Sequence, residues 1–79
     1  MDKETELKIL GTVIKMLREE RKLSQSKLGL NIFKDQQSIQ KVETGKFNPS
    51  YIYLLEICTG LEISLRELHT KVEEFKEKY

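Results

Sequence analysis

The chain has 79 residues and a net charge of +1, so it supports one modest hydrophobic core. Charged residues make up 34% and hydrophobic residues 38%, which indicates a soluble, globular chain and not a disordered one. No apolar run approaches the ~20 residues of a membrane span, and Met1 to Lys8 lacks a signal-peptide core. The single cysteine, Cys58, excludes an internal disulfide, which fits a reducing compartment. Together these features lead us to expect a cytoplasmic protein without membrane contact.

The charge is unevenly distributed along the chain. Residues 1–46 contain ten basic and seven acidic side chains, whereas residues 47–79 contain four and six. An ordinary surface with chance asymmetry explains this distribution better than a nucleic-acid partner does. Charge alone therefore does not identify the function.

The apolar spacing predicts an all-α chain of five helices, at about 4–21, 25–32, 36–44, 51–61 and 65–78. In the first helix, apolar residues at Leu7, Leu10, Ile14 and Leu17 recur at helical spacing. The joints between helices are short, and no linker or repeat interrupts the chain.

The starts of the later helices are marked by capping residues. Ser24, Ser50 and Ser64 each precede a helix and can accept a hydrogen bond from an unpaired backbone N–H. Glu67 stands three residues after Ser64, which completes a capping box. Asp35 is the expected cap of the third helix and places a negative charge at its positive end.

The third predicted helix has two contrasting faces. Ile39 and Val42 are three residues apart and form its core side. The opposite side holds Gln36, Gln37, Gln40, Lys41 and Thr44. Glutamine can bond adenine N6 and N7, and lysine can reach guanine O6 or N7, so this face suits the major groove. A solvated helix face without a ligand would carry similar residues.

Several runs in their order and spacing resemble the Cro and repressor type of helix-turn-helix, the Xre-like family. They are Leu10-Gly11, Ile14, Leu17-Arg18, Leu23-Ser24-Gln25, Leu28, Gln36-Gln37-Ser38-Ile39, Val42-Glu43, Gly45-Lys46, Asn48-Pro49-Ser50, Leu54-Leu55, Ile57, Leu61 and Ile63-Ser64-Leu65. The resemblance covers about residues 7–68 without a gap. It implies one helix-turn-helix domain over 1–79, with the motif at about 25–44 and a dimerisation helix at about 65–78.

The resemblance assigns roles to individual residues. The expected base-reading residues are Gln36, Gln37, Gln40 and Lys41. The expected contacts to the DNA backbone are Gln25, Ser38, Thr44 and Lys46. Arg18 and Glu43 match a pair that bridges the first and third helices in several relatives, so we predict a partly buried ion pair.

Three residues depart from the family pattern. Phe33 stands in the turn between the motif helices where glycine is usual, because such turns often need a positive φ. We expect either another turn conformation or a buried Phe33 in a reshaped loop. Gly29 replaces the usual alanine and still permits close helix packing, and Glu62 replaces the common glycine after the fourth helix.

The last helix carries an apolar seam of the coiled-coil type. Its members, Leu65, Leu68, Val72, Phe75 and Tyr79, step by three and four residues. Either the seam packs on Ile9, Val13 and Met16 of the same chain, or its later residues are exposed to a partner, or both. We predict a homodimer with an interface formed by Tyr51, Ile52, Leu55, Val72, Phe75 and Tyr79.

These features predict a sequence-specific regulator that binds double-stranded DNA at a near-palindromic operator. Restriction-modification controllers and small phage or mobile-element repressors are both of this length. A protein-binding module, such as an antitoxin that pairs with a toxin, is the alternative. An enzyme is not expected, because His69 is the only histidine and no base is recognisable near Cys58. No cofactor, metal or small-molecule ligand is expected.

Overall fold

The computed structural model describes residues 1–79 and contains five helices without a strand. The helices are α1 (Lys3–Glu20), α2 (Gln25–Asn31), α3 (Gln36–Glu43), α4 (Tyr51–Leu61) and α5 (Leu65–Lys78). The all-α, five-helix prediction is confirmed. The predicted bounds of α4 and α5 agree with the structure, and those of the other helices differ by a single residue at the ends. No helix is both long and apolar enough to cross a bilayer.

The predicted capping residues begin four of the helices. Ser24, Asp35, Ser50 and Ser64 each accept a hydrogen bond from the backbone N–H three residues later. At α5 the Glu67 carboxylate also accepts from the Ser64 N–H, so the capping box is complete. These bonds fix where each helix starts and therefore how the two motif helices are oriented.

The core is built around α1, which packs against both α3 and α5. The thirteen buried apolar residues of the core come from every helix and from the α2–α3 turn. They are Ile9, Val13, Ile14, Leu17, Leu28, Ile32, Ile39, Val42, Tyr53, Ile57, Cys58, Leu61 and Leu68. Cys58 is one of them, and its burial raises the pKa of the thiol. His69 lies on the exposed side of α5.

Four helices end in the same left-handed turn. After each helix one residue takes a positive φ: Lys22, Phe33, Gly45 and Glu62, at φ 55°, 60°, 76° and 59°. In each turn the next N–H returns to the carbonyl five residues earlier, as from Lys34 to Gly29 at 2.8 Å. Glu62 thus adopts the conformation for which relatives use glycine. Of the four positions, only Gly45 holds a glycine, the residue type that favours a positive φ.

The expectation of a changed turn or a buried Phe33 is wrong. The turn has the usual left-handed conformation, and the Phe33 side chain is 95% exposed. The two backbone bonds that close the turn outweigh the steric cost of a side chain at positive φ. The turn folds tightly over Gly29, where an added Cβ would lie 2.4 Å from the Lys34 carbonyl oxygen. A side chain at this position of α2 would therefore force the Lys34 carbonyl to move.

We expect Phe33→Gly to stabilise the chain by about 1 kcal/mol, because glycine tolerates this backbone conformation and the exposed ring contributes little packing. Urea unfolding followed by circular dichroism measures the change. Leu30→Gly is the comparison, since Leu30 is also exposed but lies inside α2 and should lose stability. A destabilised Phe33→Gly variant would show that the ring has a packing role.

The seam after Leu68 packs in part on its own chain, which is one of the arrangements expected for it. Val72 and Phe75 are half-buried against the core of their own chain. Tyr79 is 68% exposed and stacks at 6.0 Å on the Phe75 ring. The Lys76 ammonium lies 2.6 Å from Glu6 and ties α5 further to α1. The α5 seam therefore packs mainly on α1 of the same chain.

Candidate nucleic-acid interface

The apolar face of α3 is buried against the core and its polar face is exposed to solvent. Ile39 and Val42 are each 1% exposed and hold the helix on the core. On the opposite side Gln37, Gln40 and Lys41 are exposed to solvent. No hydrogen bond within the chain engages the Gln37 amide, so both its donor and its acceptor are available to a ligand.

A buried ion pair anchors the C-terminal end of α3 to α1. Arg18 Nε lies 2.6 Å from Glu43 Oε2, and Arg18 Nη2 lies 3.0 Å from Glu43 Oε1. A third guanidinium nitrogen, Nη1, donates to the Leu23 carbonyl at 2.6 Å. The hydrogen bonds to Glu43 raise the pKa of Arg18 despite its burial. Two parallel bonds fix the orientation of α3 more firmly than a single contact would.

Hydrogen bonds connect the Arg18–Glu43 ion pair to side chains at the start of α2 and α3. Gln25 Nε2 donates to Glu43 Oε1 at 3.0 Å, and Gln25 Oε1 accepts from Gln36 Nε2 at 3.4 Å. Ser26 Oγ donates to Gln36 Oε1 at 3.3 Å. The Gln36 amide is therefore oriented by α2 before any ligand binds. Gln25 keeps one amide hydrogen for a phosphate, as its predicted role needs.

Besides Gln25, two more of the predicted backbone-contacting residues have partners within the chain. Ser38 is half-buried, and its hydroxyl lies 2.6 Å from the Tyr53 hydroxyl of α4. Ser38 can donate to a phosphate when the Tyr53 hydroxyl is the donor of this bond. Thr44 Oγ1 donates to the Gln40 carbonyl at 2.9 Å, so a phosphate contact would require it to change partner.

Two lysines contribute positive charge to the surface around the polar face of α3. Lys41 on α3 and Lys46 after it are exposed, and neither belongs to any of the ion pairs of the chain. Gly45, at φ 76°, turns the chain so that the Lys46 N–H returns to the Lys41 carbonyl at 2.9 Å. The turn therefore holds Lys46 next to the end of α3.

An aromatic residue beside α3 was missed by the sequence analysis. Phe47 is 45% exposed, and its ring lies 6.0 Å from that of Tyr53. Asp35, Gln37, Ser38, Lys41 and Phe47 together line an open notch. The loop that carries Phe47 has no apolar periodicity, so only its position directly after the polar helix could have indicated a role.

The predicted dimer residues on α4 are available on the surface. Tyr51 and Ile52 are 63% and 61% exposed, and Leu55 is half-buried. Beside them an open groove of about 400 Å³ separates α1, α4 and α5. Its lining is mostly apolar and comprises Glu6, Leu7, Leu10, Leu54, Leu65, Leu68, His69, Val72 and Lys76. Val72 is thus half-buried in the monomer and still reaches this open surface.

The arrangement of α2 and α3 is that of a helix-turn-helix protein. Sequence comparison assigns the chain to the same class. A family model described as helix-turn-helix matches residues 14–68, which is more than half of the chain. The chain belongs to this family, the Cro/C1-type helix-turn-helix regulators of transcription, and it is a DNA-binding regulator. Comparison with curated proteins gave no match.

Among solved structures the chain is similar to restriction-modification controller proteins. It is 33% identical to C.AhdI from Aeromonas hydrophila, with 81% of this chain and 97% of that chain covered and a TM-score of 0.79. A point mutant of the controller C.Esp1396I is 26% identical, with 94% of both chains covered and a TM-score of 0.89. The regulator ClgR from Corynebacterium glutamicum is 16% identical and shares the fold, with a TM-score of 0.83 and coverage of 87% and 73%.

Proposed function

We propose that residues 1–79 act as one domain that binds a near-palindromic operator as a homodimer in the cytoplasm, as a controller-type regulator. The observation that carries this proposal is the exposed polar face of α3, whose unengaged Gln37 and Lys41 lie on a helix locked in place by the buried ion pair. Base readout needs such a preorganised set of donors and acceptors. In this proposal Gln36, Gln37, Gln40 and Lys41 read bases.

The contacts to phosphate fix the register of the helix on the duplex. We assign them to Gln25, Lys46, Ser38 and Thr44, with Lys46 as the main cation because it is exposed and unpaired. The similarity to C.Esp1396I supports an operator as ligand: its tetramer was solved in complex with its natural 35 base-pair operator. That protein is 27% identical, with 85% and 93% of the chains covered and a TM-score of 0.74.

The dimer is proposed from the apolar surface of α4 and the neighbouring groove. Tyr51 and Ile52 expose large apolar side chains, and so small a core gains stability by association. The proposed interface also includes Leu55, Val72, Phe75 and Tyr79. Two copies would place their α3 helices in major grooves one helical turn apart, about 34 Å.

Sedimentation velocity tests the dimer. We expect a dimer at micromolar concentration, and Ile52→Lys should shift the protein toward monomer because it places a charge in an apolar interface. Leu30→Lys is the matched control, since Leu30 is 67% exposed on α2, outside the proposed interface. A wild-type protein that stays monomeric at concentrations at which it binds DNA would contradict the proposal.

We expect Lys46→Ala to weaken binding to all DNA sequences about equally, because a phosphate contact carries no sequence information. The slope of log K against log salt should become shallower by about one for a lost phosphate contact. Fluorescence anisotropy with operator and random duplexes at several salt concentrations measures both effects. Lys71→Ala, on the exposed side of α5, is the control and should leave the slope unchanged. A loss confined to one operator sequence would assign Lys46 to base readout.

A further inference from the structure

Phe47 packs against the protein on one side and is open to solvent on the other. Its ring packs on Tyr53 with an interplanar angle of 58°. Tyr53 is itself fixed, since it is 7% exposed, its hydroxyl bonds Ser38, and the Lys34 ammonium lies 5.1 Å from the centre of its ring. The remaining edge of Phe47 faces solvent. An aromatic side chain has only two rotatable bonds, so a half-exposed ring can provide contact area with little loss of conformational entropy on binding.

The open edge of Phe47 faces the notch beside the polar side of α3. Phe47 is its one hydrophobic wall, and Gln37 and Lys41 are its outward polar walls. Because these two residues are on the surface proposed to enter the major groove, the notch opens toward the edges of the base pairs. A glutamine amide and an apolar ring edge therefore lie next to each other.

An A·T pair displays two features side by side in the major groove. Adenine offers N7 as acceptor and N6 as donor, which match the glutamine amide, and thymine offers its 5-methyl group, which matches an apolar wall. We propose that Phe47 is a specificity-determining residue that packs against the 5-methyl group of a thymine at, or adjacent to, the pair read by Gln37. This inference rests on the proposed operator binding.

The test replaces the thymines of a selected operator one at a time by deoxyuridine, which lacks only the 5-methyl group. At one thymine in each half-site we expect the wild-type protein to bind about four-fold more weakly after the replacement, as expected for one methyl group left unburied. Phe47→Ala should bind the two DNAs equally at that position. Phe47→Gln, which keeps a long side chain but replaces the apolar ring by a polar amide, should also lose the difference and serves if Phe47→Ala does not fold.

Phe33→Ala is the matched control, because Phe33 is an exposed phenylalanine in the turn between α2 and α3 and does not line the notch. It should retain the full sensitivity to deoxyuridine. Equal binding of every deoxyuridine operator by the wild type, or sensitivity that persists in both Phe47 variants, would overturn the inference and leave operator binding intact. Failure to select any operator would overturn the proposed function and this inference together.

Discussion

Glu43→Ala is expected to destabilise the fold by about 3–5 kcal/mol, because it leaves the Arg18 guanidinium buried without its carboxylate. Arg18 is 7% exposed and Glu43 is 6% exposed, so bulk solvent hydrates the guanidinium poorly once its partner is lost. The substitution also removes the acceptor of Gln25 and frees the end of α3. Since small domains have only 5–15 kcal/mol of total stability, the loss should be evident in urea unfolding at about 25 °C.

Two further variants separate the buried charge from other causes. Arg18→Met combined with Glu43→Leu removes both charges and should recover most of the lost stability, because neither group is then buried unpaired. Glu4→Ala breaks the exposed Lys8–Glu4 pair and should cost no more than about 1 kcal/mol. A Glu43→Ala variant as stable as Glu4→Ala would show that the ion pair does not anchor α3.

Gln37→Ala is expected to lose about 1–3 kcal/mol of discrimination between operator and non-operator DNA, the value of a bidentate glutamine–adenine contact. Its amide is exposed and unengaged, so the substitution should not change stability. Anisotropy titrations with the selected operator and with each single base-pair change should show preference lost at one position of each half-site.

Gln36→Ala provides an informative comparison for Gln37→Ala. The Gln36 amide also orients Gln25, so its removal should reduce discrimination and also loosen contacts to the backbone. Gln37→Ala should leave non-specific affinity unchanged. If both variants lost specific and non-specific affinity equally, α3 would not be the base-reading helix.

The positions of the helices could be predicted because their determinants are local. A serine or aspartate cap bonds an N–H three residues away, and apolar periodicity depends on a single helix. Phe33 shows the limit of such reasoning. Propensity disfavours an aromatic residue at positive φ, but the bonds from the turn back to Gly29 and Leu30 override it.

The candidate site was only partly predictable. The polar face of α3 follows from its residue spacing, but the bonds that orient Gln36 and Gln25 depend on how α2 and α3 approach each other in space. The seam containing Val72 and Phe75 was ambiguous for a related reason. The same spacing suits α1 of the same chain and a second copy equally well, and how far Val72 and Phe75 are buried against their own core depends on the tertiary structure.

Selection of bound sites from a random DNA pool tests the central claim most directly. The purified protein is used at moderate salt, after circular dichroism has shown that it is folded. We predict a two-fold symmetric motif whose half-sites are one helical turn apart, about 34 Å. The absence of any enriched sequence from the folded protein would contradict sequence-specific readout by α3 and would favour a protein partner.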